Sequence, residues 1–503
     1  ERAMSDSGVV FVQGMGEQPR GQTLLTCGDP IVGFLDRWVK RDGIETQGSI
    51  DVVATTLASG SDDDSVPSHA RLRVVLPGGG GEQEWMFAES WWGASVRPPA
   101  FSKLAGWLLS VGAWTVLSHM MKRLAGRTGT WAELLRVGSF IVGMVAAIGL
   151  QVIVSLLAVL ADLPIPALRR GLARILLAIT GSLGDAYVLV ESGLQRSALV
   201  ERTRAALEWL SARCGRVCVV AHSQGAAIAH LVLRGWMPPN LHAFVTYGSG
   251  LGKLDELLCA REARGRMALV ARIGPVVLFL SALIAYIVFR DPDNEWRTSA
   301  LFFIGAIALI ALMLAYQTCR DFWNGSEARL QSLGLTSLPP GAVWSDLYGS
   351  HDPVSNGPLS PFASGIPGVS SREVENTRNW LTDHTTYWLN RTQFVPAVAQ
   401  ALDKAAGSAL FGAPDPVIQL GEDGHRRAVR WFQRTRVATI LAALALIPIY
   451  WVELLSLGYD IRRFASGLKE GFGELGDQVA LLGPALLDVL PAYSPTVGTI
   501  LLG

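Results

Sequence analysis

The stretch from Arg216 to Leu233, RVCVVAHSQGAAIAHLVL, carries the side chain best placed to do chemistry. Its β-branched run (Val217, Val219, Val220) predicts a strand, Ala221-His222-Ser223-Gln224-Gly225 a sharp turn, and the Ala-rich continuation a helix. A serine at such a junction is forced into a strained conformation with its hydroxyl presented at the end of the sheet. The small residues around Ser223 let the helix and strand backbones approach. A hydroxyl is a weak nucleophile by itself. It needs a base within hydrogen-bond reach and a third group to orient that base.

The elements around this turn must supply the rest. Gly8 to Gln13 (GVVFVQ) reads as a buried strand running into Gly14-Met15-Gly16. Pro30 to Lys40 reads as a helix, and Ile50 to Leu57, Arg71 to Leu76 and Gln83 to Glu89 as strands. Glu191 to Cys214 is patterned as an amphipathic helix, Leu241 to Tyr247 (LHAFVTY) as a strand, Ala342 to Tyr348 as a strand and Arg372 to Leu402 as helix. The chain has no internal repeat and no low-complexity tract.

With Ala221 where the G-x-S-x-G pattern has its first glycine, the elbow resembles that of bacterial lipases in the α/β-hydrolase superfamily. The resemblance covers three blocks, Gly8 to Trp92, Asp185 to Leu254 and Ala342 to Leu402. It implies an α/β fold: an α/β-hydrolase core, mainly parallel sheet flanked by helices, with inserted transmembrane α-helices. It also implies an oxyanion hole formed by the backbone N–H groups of Met15 and Gln224, although Gln13 stands where the family has a histidine. Gly248-Ser249-Gly250-Leu251 resembles the family's TxGSPL block, with Gly250 for Pro, where such enzymes accept a cap insertion.

In this fold the acid and then the base follow the nucleophile. His351, His384 and His425 lie past the elbow. His384, in D-H-T-T-Y-W, resembles the family's terminal H-x-x-Y-W, whereas His425 sits among arginines and His351 directly precedes the best acid. That acid is Asp352 in G-S-H-D-P-V, with Asp346 as runner-up and Asp383 less well placed because it adjoins His384. The implied catalytic set is Ser223, Asp352 and His384. No metal or organic cofactor is required.

Composition narrows the context. Lys+Arg and Asp+Glu balance at 43 each, so the basic footprint of a nucleic-acid-binding protein is lacking. A 50% hydrophobic content and a mean hydropathy of +0.31 predict a membrane component. The five cysteines (Cys27, Cys214, Cys218, Cys259, Cys319) form neither a disulfide framework nor a metal spacing and read as buried thiols. The beginning of the chain, ERAMSDSGVVFV, lacks the pattern of a secretory signal, so the first domain is expected to stay where it is made.

The apolar stretches are Leu104 to Met121, Val137 to Ala161, Gly171 to Val190, Ala268 to Phe289, Ser299 to Tyr316 and Val437 to Leu457, with a Pro-broken tail from Val479 to Leu502. Trp91 and Trp92, just before the first of them, read as membrane-interface residues. The expected organisation is a first part of the core (1–100), a membrane insertion (101–184), core with the elbow (185–266), a transmembrane hairpin (267–336), the end of the core (337–425) and a C-terminal membrane segment (426–503).

Arginines flanking the 267–336 hairpin, against an acidic connector, place the core on the cytoplasmic side of the plasma (inner) membrane. Between Trp92 and Glu191 the same rule leaves Arg-rich sequence on the far side, so the number of crossings stays open. The expectation is an integral membrane serine hydrolase acting on membrane lipids or other long-chain acyl esters, with the bilayer as its partner. The alternatives are a thioesterase or acyltransferase using the same triad, and a non-catalytic membrane interaction or signalling protein that keeps a degenerate hydrolase domain.

Overall fold

The computed structural model describes, with short breaks, residues 4–162, 184–262 and 297–432, and a few positions up to 442; the breaks include 15–17, 42–46, 58–65, 109–112 and 412–415. The chain divides into two units, Glu1–Glu422 and Asp423–Gly503. The first holds an eight-stranded sheet of order β2-β3-β4-β1-β5-β6-β7-β8. β1 (Ser5–Val12) lies inside it, parallel to β4 (Glu82–Ser90) on one edge and to β5 (Cys214–His222) on the other. β6 (Leu241–Tyr247), β7 (Val343–Gly349) and β8 (Val369–Val374) continue in parallel beyond β5. β2 (Ser49–Thr56) and β3 (His69–Val75) close the other side as antiparallel strands.

Parallel strands must be covered on both faces, and the sequence of β1 already says so. Val9 and Phe11 turn to one layer, Val10 and Val12 to the other, and all four are buried. The first layer is α1 (Gln22–Val39) and the late helix Phe394–Ala406, through Leu24, Ile31, Leu35, Phe394, Val398 and Leu402. The second contains the helices Gly193–Ser211 and Ser223–Gly235, through Leu199, Leu207, Leu210, Ala226 and Ile228. The chain therefore leaves β1 towards one face and β5 towards the other. Such a divergence at the carboxyl ends of neighbouring strands marks the place where open α/β sheets bind ligands.

The inserted helices are α2 (Phe101–Trp107), α3 (Ala113–Lys122) and α4 (Thr130–Asp162). Of the stretch Leu104 to Met121, the described residues lie in α2 and α3, and 109–112 lie outside the described residues; α3 buries Ser118 and Lys122 among its polar residues. α4 contains Val137 to Ala161; its stretch Thr130–Leu157, whose most apolar window has a mean hydropathy of 2.5, is, among the described residues, long and apolar enough to cross a bilayer. Only 28% of its most apolar window is buried.

In order after α4 come α5 (Gly193–Ser211), α6 (Ser223–Gly235), α7 (Leu251–Glu262), α8 (Arg297–Asn324), α9 (Ser326–Gln331) and α10 (Phe394–Ala406). α8 contains Ser299 to Tyr316 and leaves Phe302, Ile307, Ile310 and Leu314 exposed. Of the Gly171 to Val190 stretch, the described end is helical and packs Val188, Leu189 and Val190 into the core. Ala268 to Phe289 and Val479 to Leu502 lie outside the described residues, as does nearly all of Val437 to Leu457.

Two further readings are corrected. Arg372 to Leu402 is not one helix: it starts inside β8, whose polar VSSREV leaves Ser370 and Ser371 exposed as an outer strand can, and α10 begins only at Phe394. Trp92 is a core side chain beside the sheet rather than an interface residue, and Trp91 donates its indole N–H to the Gln18 carbonyl at 2.7 Å. Cys27, Cys214, Cys218 and Cys319 are buried free thiols; Cys259 is half-buried. Burial pushes Cys27 and Cys218 up to about 12, which keeps them protonated and unreactive.

Candidate active site

Ser223 is the first residue of α6 and has φ 54°, the left-handed region that a non-glycine residue adopts at a cost of about 1–3 kcal/mol. The strain is held from both sides. β5 is in register with Tyr247 at His222 and with Val12 at Ala221, and α6 starts at once beyond it. Gly225 is required by this packing, since a Cβ there would lie 2.0 Å from the Gln13 carbonyl oxygen.

His384 and Asp352 arrive on loops from the far side of the sheet, His384 after β8 and Asp352 after β7. The Ser223 hydroxyl donates to His384 Nε2 at 2.9 Å. His384 Nδ1 lies 3.0 Å from each oxygen of Asp352, so this nitrogen carries the proton and leaves Nε2 free to accept. Ser223 and Asp352 are completely buried, while the His384 side chain is 14% exposed.

Burial would push the Asp352 carboxyl up. The His384 hydrogen bond and charge, the Tyr387 hydroxyl and the Val354 N–H outweigh it and hold the group well below the usual carboxylate range. Tyr387 donates to Asp352 Oδ2 at 2.7 Å while accepting from the Gly349 N–H at 2.6 Å, so it braces the acid against its own strand end. Gly248, at φ 51°, leaves the room these groups need: a Cβ there would sit 2.8 Å from Asp352 Oδ2 and 3.1 Å from His384 Nδ1.

A second imidazole lies beneath the first. His222 stacks between Tyr247 (4.6 Å between ring centroids) and His384 (4.7 Å), and its Nε2 meets the His384 carbonyl oxygen at 3.1 Å. Burial, reinforced by the His384 charge, pushes His222 down to about 3. His222 is therefore neutral, with an Nε2–H that ties down the backbone of His384.

The Gln224 N–H belongs to the first turn of α6, among N–H groups with no partner within their own helix and at the positive end of its dipole. Met15, the other expected donor, lies outside the described residues. Gln13 is buried; the Thr23 hydroxyl approaches its Oε1 at 3.5 Å, and its Nε2 has no hydrogen-bond partner among the described residues.

The other candidates are elsewhere. Asp346 is buried within β7, accepting from Thr246 and Ser371 hydroxyls. Asp383 accepts from the backbone N–H groups of His351 and Thr377, tying together the loops that carry Asp352 and His384. The His351 ring meets Ser350, and His425 belongs to the second unit. A cavity of about 330 Å³ at the end of β4, lined by Arg20, Glu89, Trp91 and Arg202 among others, contains none of Ser223, Asp352 and His384.

The structure brings Ser223, His384 and Asp352 into one hydrogen-bonded series and sets two further residues against them, Tyr387 and His222. Tyr387 stood in plain view as the aromatic of the H-x-x-Y-W block, but no spacing rule says that its hydroxyl reaches the acid. His222 adjoins Ser223, and chain order directs the search for a base downstream of it.

No protein-family model and no curated protein matches the chain. Among solved structures, it is similar to proline iminopeptidase from Mycobacterium smegmatis at 18% identity, covering 42% of this chain and 73% of that one with a TM-score of 0.21. It is also similar to a serine hydrolase of carbazole degradation, the CarC enzyme, at 12% identity, covering 41% and 71% of the respective chains with a TM-score of 0.18. Likenesses this faint leave the chemistry to be argued from the site.

Proposed function

We propose that the protein is a serine hydrolase that cleaves acyl esters, with Ser223 as nucleophile, His384 as base and Asp352 as the acid that orients it. One observation carries this reading: the unbroken hydrogen-bond series from the Ser223 hydroxyl through both nitrogens of His384 to a buried, ionised Asp352. As Ser223 Oγ attacks an ester carbonyl, His384 Nε2 takes its proton, and the carboxylate stabilises the imidazolium that forms. The carbonyl oxygen becomes an oxyanion beside the Gln224 N–H, with Met15 N–H as the second donor. His384 then returns the proton to the leaving alkoxide. Water, deprotonated by the same imidazole, releases the acid from Ser223. Because Ser223 is buried and His384 partly exposed, the ester enters along the imidazole side.

The substrate class follows from the apolar helices. α4 and α8 expose long aliphatic faces next to a domain able to attack esters, which supports an integral membrane enzyme taking acyl chains from membrane lipids. The arginine-rich flanks of the hairpin support an inner-membrane location with the core in the cytoplasm.

The deciding experiment is labelling of the full-length protein with an active-site-directed fluorophosphonate. Wild type should label stoichiometrically, and Ser223→Ala should not label at all. Equal labelling of both proteins removes Ser223 as nucleophile. Hydrolysis of phospholipid and neutral-lipid vesicles should then exceed that of short soluble esters; the reverse preference removes the lipid substrate while leaving the hydrolase.

A further inference from the structure

Both sides of α3 are occupied. Leu117 and Met121 pack with Phe140 and Met144 of α4 and with Cys319 and Trp323 of α8, the two helices whose other faces are exposed and apolar. The opposite side carries Ser118, His119 and Lys122, with Ser118 and Lys122 buried, and it meets α7 and the loop that follows the triad acid.

The contacts on that side converge on three residues of one short loop, Pro353, Ser355 and Asn356. The Lys122 ammonium donates to the Ser355 carbonyl at 2.7 Å, and Asn356 Nδ2 donates to the His119 carbonyl at 2.7 Å. From α7, the Lys253 ammonium donates to the Pro353 carbonyl and lies 3.4 Å from His119 Nδ1. Ser118 donates to Glu256, closing the contact between α3 and α7. The loop itself is tight: the Asn356 N–H returns to the Asp352 carbonyl at 2.9 Å, and Val354 N–H to Asp352 Oδ1 at 2.7 Å. Holding Pro353, Ser355 and Asn356 therefore fixes the backbone from which the Asp352 carboxylate projects.

A buried ammonium ion is expensive unless acceptors and negative charge surround it. The loop carbonyls are the acceptors, and Glu256 and Asp352 supply the charge, yet burial still pushes Lys253 down to about 8. Apolar packing could have fixed an ordinary surface loop. Two cations directed at the residues just after a triad acid have a narrower use.

We propose that Lys122, Lys253 and Asn356 are positioning residues for Asp352, and that α3 is the strut through which the apolar helices α4 and α8 bear on the triad. The proposal rests on the serine-hydrolase reading. A displacement of the order of 1 Å in a group that orients a catalytic base can slow a reaction ~100-fold, so a strut beside the acid has leverage on rate.

The test is the rate constant of Ser223 acylation by a fluorophosphonate, measured with the purified full-length chain. Lys122→Met should slow it roughly 10- to 100-fold with a nearly unchanged thermal midpoint, and Lys122→Arg should recover most of the loss. Combined with Asp352→Asn, Lys122→Met should add almost nothing, because a residue that acts through the acid has no further effect once the acid is disabled. Losses that multiply, or a Lys122→Met rate equal to wild type, overturn the proposal. Should Lys122→Met fail to fold, Lys253→Met and Asn356→Ala carry the same cycle. If Asp352→Asn alone leaves labelling untouched, it is the triad reading that fails.

The strut is read separately by moving the protein from detergent micelles to phosphatidylcholine–phosphatidylglycerol vesicles. Wild type should change its acylation rate by a factor of about three or more, and Lys122→Met should not. Equal responses of the two proteins overturn the coupling.

Discussion

The interior of β7 and the loop just beyond it each bury a carboxylate, Asp346 and Asp352, and the two behave in opposite ways. Burial raises both. Asp346 answers it with the Thr246 hydroxyl (2.9 Å), the charge of Lys122, the Ser371 hydroxyl (3.2 Å) and the Leu359 N–H, and it still ends pushed up to about 6. Asp352 answers it with an imidazole, a phenol and a backbone N–H, and it ends well below its ordinary value. Asp352 meets an imidazole through both of its oxygens and stays an anion, whereas the hydroxyls and the Lys122 charge do not offset burial at Asp346, which is left ready to take a proton. The runner-up acid of the sequence is a sheet carboxylate, and the loop acid is the one that can brace a base.

The contrast can be broken by substitution. Asp352→Asn keeps the shape and removes the anion, and should slow turnover of an ester by roughly 10³–10⁴-fold, as loss of the anion does in comparable triads. A loss under about tenfold would mean that His384 is oriented without it. Next, Tyr387→Phe removes one hydrogen bond to the carboxylate, worth about 10-fold to 100-fold in rate if its whole strength is felt at the imidazole. The expected loss falls on kcat with KM little changed; a pure KM effect would assign Tyr387 to substrate contact instead.

Asp346→Asn should leave turnover within about threefold and act on stability alone. The two acids carry opposite signs. Asp346, with a raised folded value, contributes stability that is full below its unfolded value near 3.8 and is lost as pH rises through about 6. Asp352, with a depressed folded value, contributes stability that is present above 3.8 and is lost as pH falls towards its folded value. Urea unfolding across pH should therefore give a flatter profile between about pH 4 and 6 for Asp346→Asn, and a weaker acid limb below about pH 4 for Asp352→Asn. Identical profiles for the two variants would erase the distinction.

How much of this was legible beforehand depends on where the signal was local. The elbow was readable because strand, turn and helix each leave a pattern within a few residues. Asp352 and His384 came from chain order and short blocks around them, and the structure places both in one hydrogen-bonded series with Ser223. β8 was lost because VSSREV is polar on an outer strand and lacks the apolar alternation by which strands are found. The role of α3's polar residues is hidden from hydropathy, which averages over a window, whereas Ser118 and Lys122 are buried through one side of a helix. Trp92 was misplaced because an indole beside apolar sequence fits a bilayer surface and a protein core equally well.

The central place of the first strand has a consequence for how the chain is made. Residues Val9 to Val12 leave the ribosome well before residues 218–221, which claim one of their hydrogen-bonding edges, and α4 is made in between. At ~5–20 residues per second that wait is on the order of ten seconds, with an oily ribbon left half-partnered meanwhile. Synthesis of α4 therefore precedes closure of the sheet, and the turn that carries Ser223 cannot be held from both sides before it.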